Sequence, residues 1–294
     1  MHKFLRAVGF SKVKDRNELT GLITDSIQKS SRRGYVSIDE NVILAEFSHD
    51  YSHEKIGISV CGEFDEQDKF IYEYYYPYLI PSQVSTEEDI TIERHAAQYS
   101  YAGICNENRV GVTLIFYLQN IIPYIKYENE NKFPIKGTTL SLSALSIKGQ
   151  IMMPIAKTEE EKEVARKKSN YRNKLINNAR RGDETAIESL TLDDMDLYTT
   201  LSKKIRKQDI YTLVDTYFMP YGVECDQYSV LGEVTASEKV INHFTDEAVY
   251  IMRINCNDME FDVCINEKDL LGEPAVGRRF KGNIWMQGMI NYPE

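Results

Sequence analysis

The spacing of apolar residues changes along the chain, and its first section predicts one helix followed by strands. Leu19, Leu22, Ile23 and Ile27 recur at helical spacing and predict a helix over residues 15–28. The apolar and β-branched runs that follow are divided by polar turns, which is typical of strands. These runs cover residues 41–47, 55–61, 69–78, 90–99, 109–117 and 138–154, with a short helix expected at 120–127.

Asn106 and Asn108 occupy turn positions between two of these runs. Asparagine favours turns because its side chain bonds to nearby backbone groups and tolerates left-handed conformations. We therefore expect residues 90–99 and 109–117 to pair as a hairpin. Together the runs predict a mostly antiparallel sheet domain with one N-terminal helix over residues 1–154.

A helical pattern begins at Thr158. Glu161 follows three residues later, so the two side chains fit a capping box at a helix N-terminus. Three helices are expected, over residues 158–181, 184–190 and 192–207. The first has a thin apolar stripe of Val164, Tyr171, Leu175 and Ala179. The third has Thr191 as its cap and a buried face of Met195, Tyr198, Leu201 and Ile205. Residues 155–209 are therefore predicted to be a helical linker segment.

The strand pattern returns after residue 210, around a hairpin whose register can be derived. Pairing Cys256 with Met259 across a turn at Asn257 and Asp258 places an apolar set on one face. The set is Tyr250, Met252, Ile254, Cys256, Met259, Phe261, Val263 and Ile265. Further strands are expected at 228–236 and 279–290, with a short helix at 267–271. The pattern therefore predicts that residues 210–294 form a small β-barrel, for which the oligonucleotide/oligosaccharide-binding (OB) fold is one candidate.

The predicted fold class is thus α+β, and the composition agrees with a globular chain. Apolar residues make up 42% of the 294 residues and charged residues 27%. The five cysteines form no CxxC pair, which favours free thiols and a cytoplasmic location. The apolar run at 112–118 is far shorter than the roughly 20 residues of a membrane helix. Charges close to the start argue against a signal peptide.

The net charge of −10 is distributed unevenly. Residues 1–154 carry 16 basic and 20 acidic groups, and residues 210–294 carry 6 and 14, which gives −4 and −8. Residues 155–209 carry 13 basic and 11 acidic groups, a charge of +2. Only the helical segment is therefore basic.

The basic groups of this segment concentrate in residues 166–181, which hold seven cations and no acid. Such a stretch is one hypothesis for nucleic-acid binding. However, acids precede the helices and cations lie near a helix C-terminus, as the helix dipole favours. The acidic C-terminal region would also repel phosphates. A solvated helix is the favoured interpretation, and nucleic acid is not the expected partner.

Tyr74 and Tyr76 belong to a dense aromatic run. On a regular strand they would share one face with Phe70, Tyr72 and Tyr78. This ladder makes Tyr74 and Tyr76 candidate ligand contacts, because aromatic faces stack on sugars and bases. Aromatic residues also pack across sheets without any ligand, and this core interpretation is favoured.

Glu93, His95 and Cys105 are the candidate catalytic residues. Glu93 and His95 would share a face of one strand, so the carboxylate can orient the imidazole, and Cys105 is the candidate nucleophile. Arg109 is a candidate anion contact beside them. No nucleophile motif accompanies this group, so a hydrolase is an alternative rather than the leading hypothesis.

Arg278, Arg279 and Lys281 bring three cations together in the otherwise acidic C-terminal region. They form a candidate anion-binding segment, although solvated charges on a barrel-edge strand explain them equally well. Glycine-rich phosphate-binding motifs are missing from the sequence. The scattered histidines and cysteines predict no metal site, and no cofactor is expected.

Four stretches resemble an uncharacterised family of bacterial proteins of about this length, described only as a domain of unknown function. They are HKFLRAVGFSK at the start, ERHAAQYSYAGICNENRVGVTLIFYLQN at 93–120, YFMPYGVECDQYSVLGE at 217–233 and GRRFKGNIWMQG at 277–288. The resemblance covers nearly the whole chain. It implies a bacterial cytosolic setting and one evolutionary unit, and it supplies no catalytic residue or substrate.

The leading hypothesis from the sequence is a non-enzymatic binding or regulatory protein. It rests on the missing nucleophile, metal and phosphate signatures and on an acidic barrel joined to a sheet domain through charged helices. The expected partner is another protein, and the sequence leaves the oligomeric state open.

Overall fold

The computed structural model describes residues 1–38, 42–65, 67–94, 99–155, 158–205 and 214–293. The strands are β1 (Arg32–Ser37), β2 (Ile43–Ser52), β3 (Ile56–Phe64), β4 (Phe70–Leu79), β5 (Ile90–Arg94), β6 (Tyr101–Cys105), β7 (Leu114–Leu118), β8 (Thr139–Met152), β9 (Tyr217–Pro220), β10 (Gln227–Ile241), β11 (Ala248–Cys256), β12 (Met259–Asn266), β13 (Leu270–Leu271) and β14 (Arg279–Asn291). The helices are α1 (Arg16–Gln28), α2 (Ile121–Asn129), α3 (Glu159–Arg180) and α4 (Glu184–Ile205), with short 3₁₀ turns at Lys3–Val8 and Glu267–Asp269. The predicted α+β class is confirmed.

An antiparallel sheet of β1, β2, β3 and β4, in that order, carries α1 on one face. The helix begins after Asp15, whose carboxylate accepts hydrogen bonds from the amides of Asn17 and Glu18, both at 2.8 Å. This cap satisfies backbone donors that the first helical turn leaves unpaired. The hydroxyls of Ser26 on α1 and Tyr51 on β2 lie 2.9 Å apart and fix the helix to the sheet.

The predicted barrel is closed by five strands in the cyclic order β8, β12, β11, β10, β14 and back to β8. The β8–β12 pair is parallel, and the other four pairs are antiparallel. An OB barrel has the same cyclic order when its last strand is placed first. The barrel is therefore OB-like in a circularly permuted form.

The β11–β12 hairpin has the register that the sequence predicts. Cys256 pairs with Met259 and Ile254 with Phe261. The side chains of this face are buried in the barrel interior with Phe280 of β14. Because side chains alternate along a strand, one apolar face was sufficient to define the register.

The first barrel strand, β8, comes from the part of the chain that was predicted to be the N-terminal domain. At its far end β14 also pairs with β7, so β5, β6 and β7 extend the barrel strands into a ten-stranded sheet. The predicted domain boundaries at residues 154 and 209 remain a prediction about which segments fold as units. The strands of the barrel come from both sides of these boundaries.

One predicted strand pairing is wrong. The runs that contain β5 and β7 do not pair with each other, because β6 lies between them and pairs with both. Gly103 on β6 permits this arrangement, since a Cβ there would lie 2.0 Å from a ring carbon of Phe116 on β7. The glycine leaves room for the aromatic ring in the core.

The helical segment forms a hairpin of α3 and α4. Thr158 and Glu161 make the predicted capping box at the start of α3, and Gly182 follows its end with a φ of 87°. The prediction of two further helices separated by a cap at Thr191 is wrong, because α4 is continuous there. The Thr191 hydroxyl instead donates to the carbonyl of Ile187 within the helix. None of the helices in the described ranges is long and apolar enough to cross a lipid bilayer.

Candidate functional site

The predicted aromatic ladder on β4 is interrupted by a β-bulge. Cys61 and Gly62 are successive residues of β3, yet they pair with Tyr74 and Tyr72. The extra residue between these two tyrosines reverses the alternation of side chains. Tyr74, Tyr76 and Tyr78 therefore share one face, whereas Phe70 and Tyr72 lie on the other, and the prediction of a five-residue ladder is wrong at its first two positions.

The remaining three tyrosines pack inside the protein. The hydroxyl of Tyr74 donates to the carbonyl of Tyr99 at 2.7 Å, and that of Tyr78 donates to Asp50 Oδ1 at 2.6 Å. Tyr76 is buried and donates to the carboxylate of Glu46, and its ring lies 4.7 Å from that of Tyr117 on β7. The hydrogen bonds to Asp50 and Glu46 lie within the four-stranded sheet, and the contact between Tyr76 and Tyr117 joins it to the ten-stranded sheet. These contacts support the core interpretation.

The catalytic hypothesis can be examined at two of its three residues. Glu93 is exposed on β5, and Cys105 is fully buried at the end of β6. Burial raises the pKa of the Cys105 thiol to about 12, with nearby Glu107 and Glu88 adding to the effect. A thiol with this pKa holds little thiolate near neutral pH. His95 lies outside the described residues, so the group stays a prediction.

Arg109 is bound within the protein. Its guanidinium donates to both carboxylate oxygens of Glu107, at 2.8 and 2.7 Å, and to the carbonyls of Ser85 and Asp258, at 2.7 and 2.9 Å. Although burial opposes it, hydrogen bonds from Arg109 hold the pKa of Glu107 below its usual range. Arg109 therefore connects three loops, and most of its donors are already used.

The three cations of the C-terminal segment make different contacts. Arg278 donates to the carbonyl of Glu273 at 2.7 Å. Arg279 is buried and donates to the carbonyls of Met153 and Val214, both at 3.0 Å. Only Lys281 lines a cleft on the barrel surface. Arg279 and Lys281 are two positions apart on β14 and share a face, but the hydrogen bonds of Arg279 to two carbonyls hold it away from the cleft that Lys281 lines.

The basic helix α3 lies against the body through polar contacts. Arg180 donates to the carbonyl of Asn106 at 3.0 Å, and Ser169 donates to Asp258 at the same distance. Between these contacts a cleft of about 660 Å³ separates α3 from the loops around Glu88 and Asn108. The side chain of Arg166 is outside the described part of the chain. Within that part, no three His, Cys, Asp or Glu side chains are placed to hold one metal ion.

The helical hairpin exposes apolar side chains, including two from the predicted thin stripe of α3 and one from the face of α4 that was predicted to be buried. Val164 and Tyr171 of α3 are 65% and 57% exposed, and Met195 of α4 is 63% exposed. Ile187 and Leu192 of α4 are also exposed. The sequence of α3 contained a signal for this exposure, because a thin apolar stripe and many charged residues are typical of a helix that buries little surface. The prediction of a buried face is therefore wrong at Met195.

The family profile described as "Domain of unknown function, E. rectale Gene description (DUF3881)" matches residues 5–288. The match covers the sheets, the barrel and the helical hairpin, which agrees with the resemblance seen in the sequence. No curated protein and no solved structure matches the chain.

Proposed function

The chain belongs to the DUF3881 family, and we propose that it is a non-enzymatic binding protein whose α3–α4 hairpin binds an acidic helical segment of another protein. The observation that carries this proposal is the exposure of Val164 and Tyr171 on α3. They are seven residues apart and thus lie on one face of the helix. Exposed apolar patches with a polar rim mark interaction sites.

Charge defines the kind of partner. Lys167, Lys168 and Lys174 are exposed and lie three or four positions from Val164 or Tyr171. Glu160 and Glu161 border the same face at its start, before Val164, whereas the part around Tyr171 is bordered by the three lysines. An amphipathic helix docks its apolar side chains on such a face, and acidic residues at its margins would pair with the lysines.

The competing functions have weaker support. A cysteine hydrolase requires an accessible thiolate, whereas Cys105 is buried and its pKa is raised to about 12. Nucleic-acid binding requires a broad basic surface. The basic stretch is confined to α3, and the body to which Arg180 is fixed is acidic.

A cytoplasmic location is part of the proposal. All five cysteines are free, and four of them are buried. Free thiols suit a reducing compartment, because oxidising compartments favour disulfide formation.

The experiment compares three forms of the protein as bait in cross-linking pull-downs from bacterial lysate. The test variant is Val164→Ser/Tyr171→Ser, which removes the apolar face. The control is Val223→Ser, because Val223 is fully exposed in the connection between β9 and β10, away from α3. For each protein that both wild type and control recover, a labelled peptide of its acidic helical segment is synthesised. Its binding to the three forms of the protein is then measured by fluorescence anisotropy.

We expect the test variant to lose the partner and to bind the segment at least about tenfold more weakly, because truncating two central apolar anchors removes hot-spot contacts. The charge reversal Lys167→Glu/Lys168→Glu, made in addition, should weaken binding of the acidic segment further. Equal recovery by the test variant would refute the proposal. Light scattering measures the oligomeric state. If wild type is a dimer and the Val164→Ser/Tyr171→Ser variant is a monomer, the surface binds a second copy of the chain, and the proposed partner is wrong.

A further inference from the structure

The outer face of the barrel has a cleft of about 480 Å³, away from the helical hairpin. Its floor is formed by β8 and β14. Lys148 is opposite Asn283 and Gln150 is opposite Lys281 in this pair, so the four side chains share the outward face. The two lysines are diagonal neighbours, and long side chains at such positions can reach one ligand.

The concave shape of the cleft has a local cause. The register of β14 against β8 shifts beyond Asn283, where β8 contains one extra residue. A bulge of this kind bends a strand. The Ser146 hydroxyl lies 2.9 Å from the carbonyl of Asn283 and 3.2 Å from that of Lys148, which holds the bend.

The lining of the cleft is positive. Lys148, Lys268 and Lys281 contribute cations, and Asp269 is the acid among the lining residues that the structure describes. Lys268 is paired with the buried carboxylate of Glu247 at 2.9 Å. Asp269 is already paired with Arg6, whose Nε lies 2.6 Å from its Oδ2. The surrounding C-terminal region carries −8. The neighbouring Lys148 and Lys281 on the cleft floor are therefore an exception to the local charge.

Neutral and apolar groups complete the lining. Ser229 is opposite Asn283 and supplies a hydroxyl on the same outward row. Leu270 and Leu271 form one wall. The volume falls in the range of small-molecule sites, about 300 to 1,000 Å³.

We infer that this cleft binds a small organic phosphate, with the phosphate between Lys148 and Lys281 and the apolar part of the ligand against Leu270 and Leu271. A lysine ammonium group acts as a point charge with three rotatable donors, so it can donate to the tetrahedrally arranged oxygens of a phosphate. Planar carboxylates are better matched by the fork of an arginine. The site is independent of the proposed protein interaction.

The test is isothermal titration of the full-length protein with phenyl phosphate, inorganic phosphate and benzoate. The test variant is Lys148→Gln/Lys281→Gln. The control is Lys239→Gln, because Lys239 is exposed on the same barrel, pairs with Glu267 and does not line the cleft. Thermal unfolding confirms that each variant is folded, and amide NMR shifts at Ser229 and Asn283 locate the binding site in the wild-type protein.

We expect phenyl phosphate to bind wild type and control alike and the test variant at least about tenfold more weakly, since the variant loses both charged donors to the phosphate. Inorganic phosphate should bind more weakly than phenyl phosphate. The inference fails if phenyl phosphate does not bind at millimolar concentration, if the test variant binds as wild type does, or if benzoate binds equally well.

Discussion

Glu46 on β2 accepts a hydrogen bond from the hydroxyl of Tyr76 on β4, at the contact between the four-stranded sheet and β7. Ser59 donates to the same carboxylate oxygen at 2.6 Å. Burial raises the pKa of Glu46, and these two hydrogen bonds only partly offset the effect. The contact between the two sheets therefore includes a carboxyl group that resists ionisation.

This arrangement gives Glu46 a predictable effect on stability against pH. Because its pKa is higher in the folded than in the unfolded protein, the stability that its protonated form contributes is present at low pH and is lost as the pH rises through the folded pKa. Glu46→Gln retains an oxygen acceptor without the charge. We expect the variant to gain stability relative to wild type as the pH rises from about 4, the ordinary range of a glutamate pKa, towards and above neutral pH.

Urea unfolding of both proteins across this range measures the difference in free energy of unfolding. Other titrating groups are common to both proteins and cancel in the difference. A difference that does not change with pH would contradict the assignment of a raised pKa to Glu46.

The pair formed by Glu107 and Arg109 predicts a large loss of stability from a single substitution. The side chain of Glu107 is 1% exposed and depends on Arg109 for two hydrogen bonds to its carboxylate. Arg109→Ala leaves that charge buried without its cation, which costs about 3 to 5 kcal/mol. Urea unfolding at neutral pH measures this loss.

The matched control is Lys132→Ala, which removes one partner of an exposed pair with Glu130. Exposed ion pairs contribute little to stability because water and salt screen them, so this variant should be close to wild type. If Arg109→Ala is as stable as Lys132→Ala, the carboxylate of Glu107 does not depend on Arg109.

Thiol reactivity distinguishes Cys225 from the other four cysteines. Cys225 is exposed, whereas Cys61, Cys105, Cys256 and Cys264 are buried. Burial raises the pKa of Cys256 to about 12, as it does for Cys105. We expect a colorimetric disulfide reagent to react rapidly with one thiol in the native protein and with five after denaturation.

Cys225→Ser should abolish the rapid phase and leave the total at four in denaturant. Rapid reaction of Cys105 in this variant is the opposite outcome. It would show an accessible thiolate and would support the hydrolase hypothesis over the binding hypothesis.

Much of the chemistry that the sequence suggested could not be evaluated without partners from distant parts of the chain. Arg109 was a candidate anion contact, but its carbonyl partners come from Ser85 and Asp258. Lys281 was grouped with Arg278 and Arg279, whereas the cleft combines it with Lys148 and Lys268. A single sequence does not show which of its charged residues converge.

The sequence by itself determined the features that depend on neighbouring residues. The capping box of Thr158 and Glu161 and the pairing of Cys256 with Met259 are local, so spacing and alternation were sufficient. The exposure of the helical hairpin, in contrast, depends on what the rest of the chain leaves uncovered.

Tertiary structure alone decided how the strands are shared. The entry of β8 into the barrel, the position of β6 between β5 and β7 and the bulge at Tyr74 all depend on pairing between segments whose order in space the sequence does not specify. Apolar strands can pair with many partners, and only the packing of the whole core selects one arrangement. Local pattern therefore defined the elements, and long-range packing defined the sites.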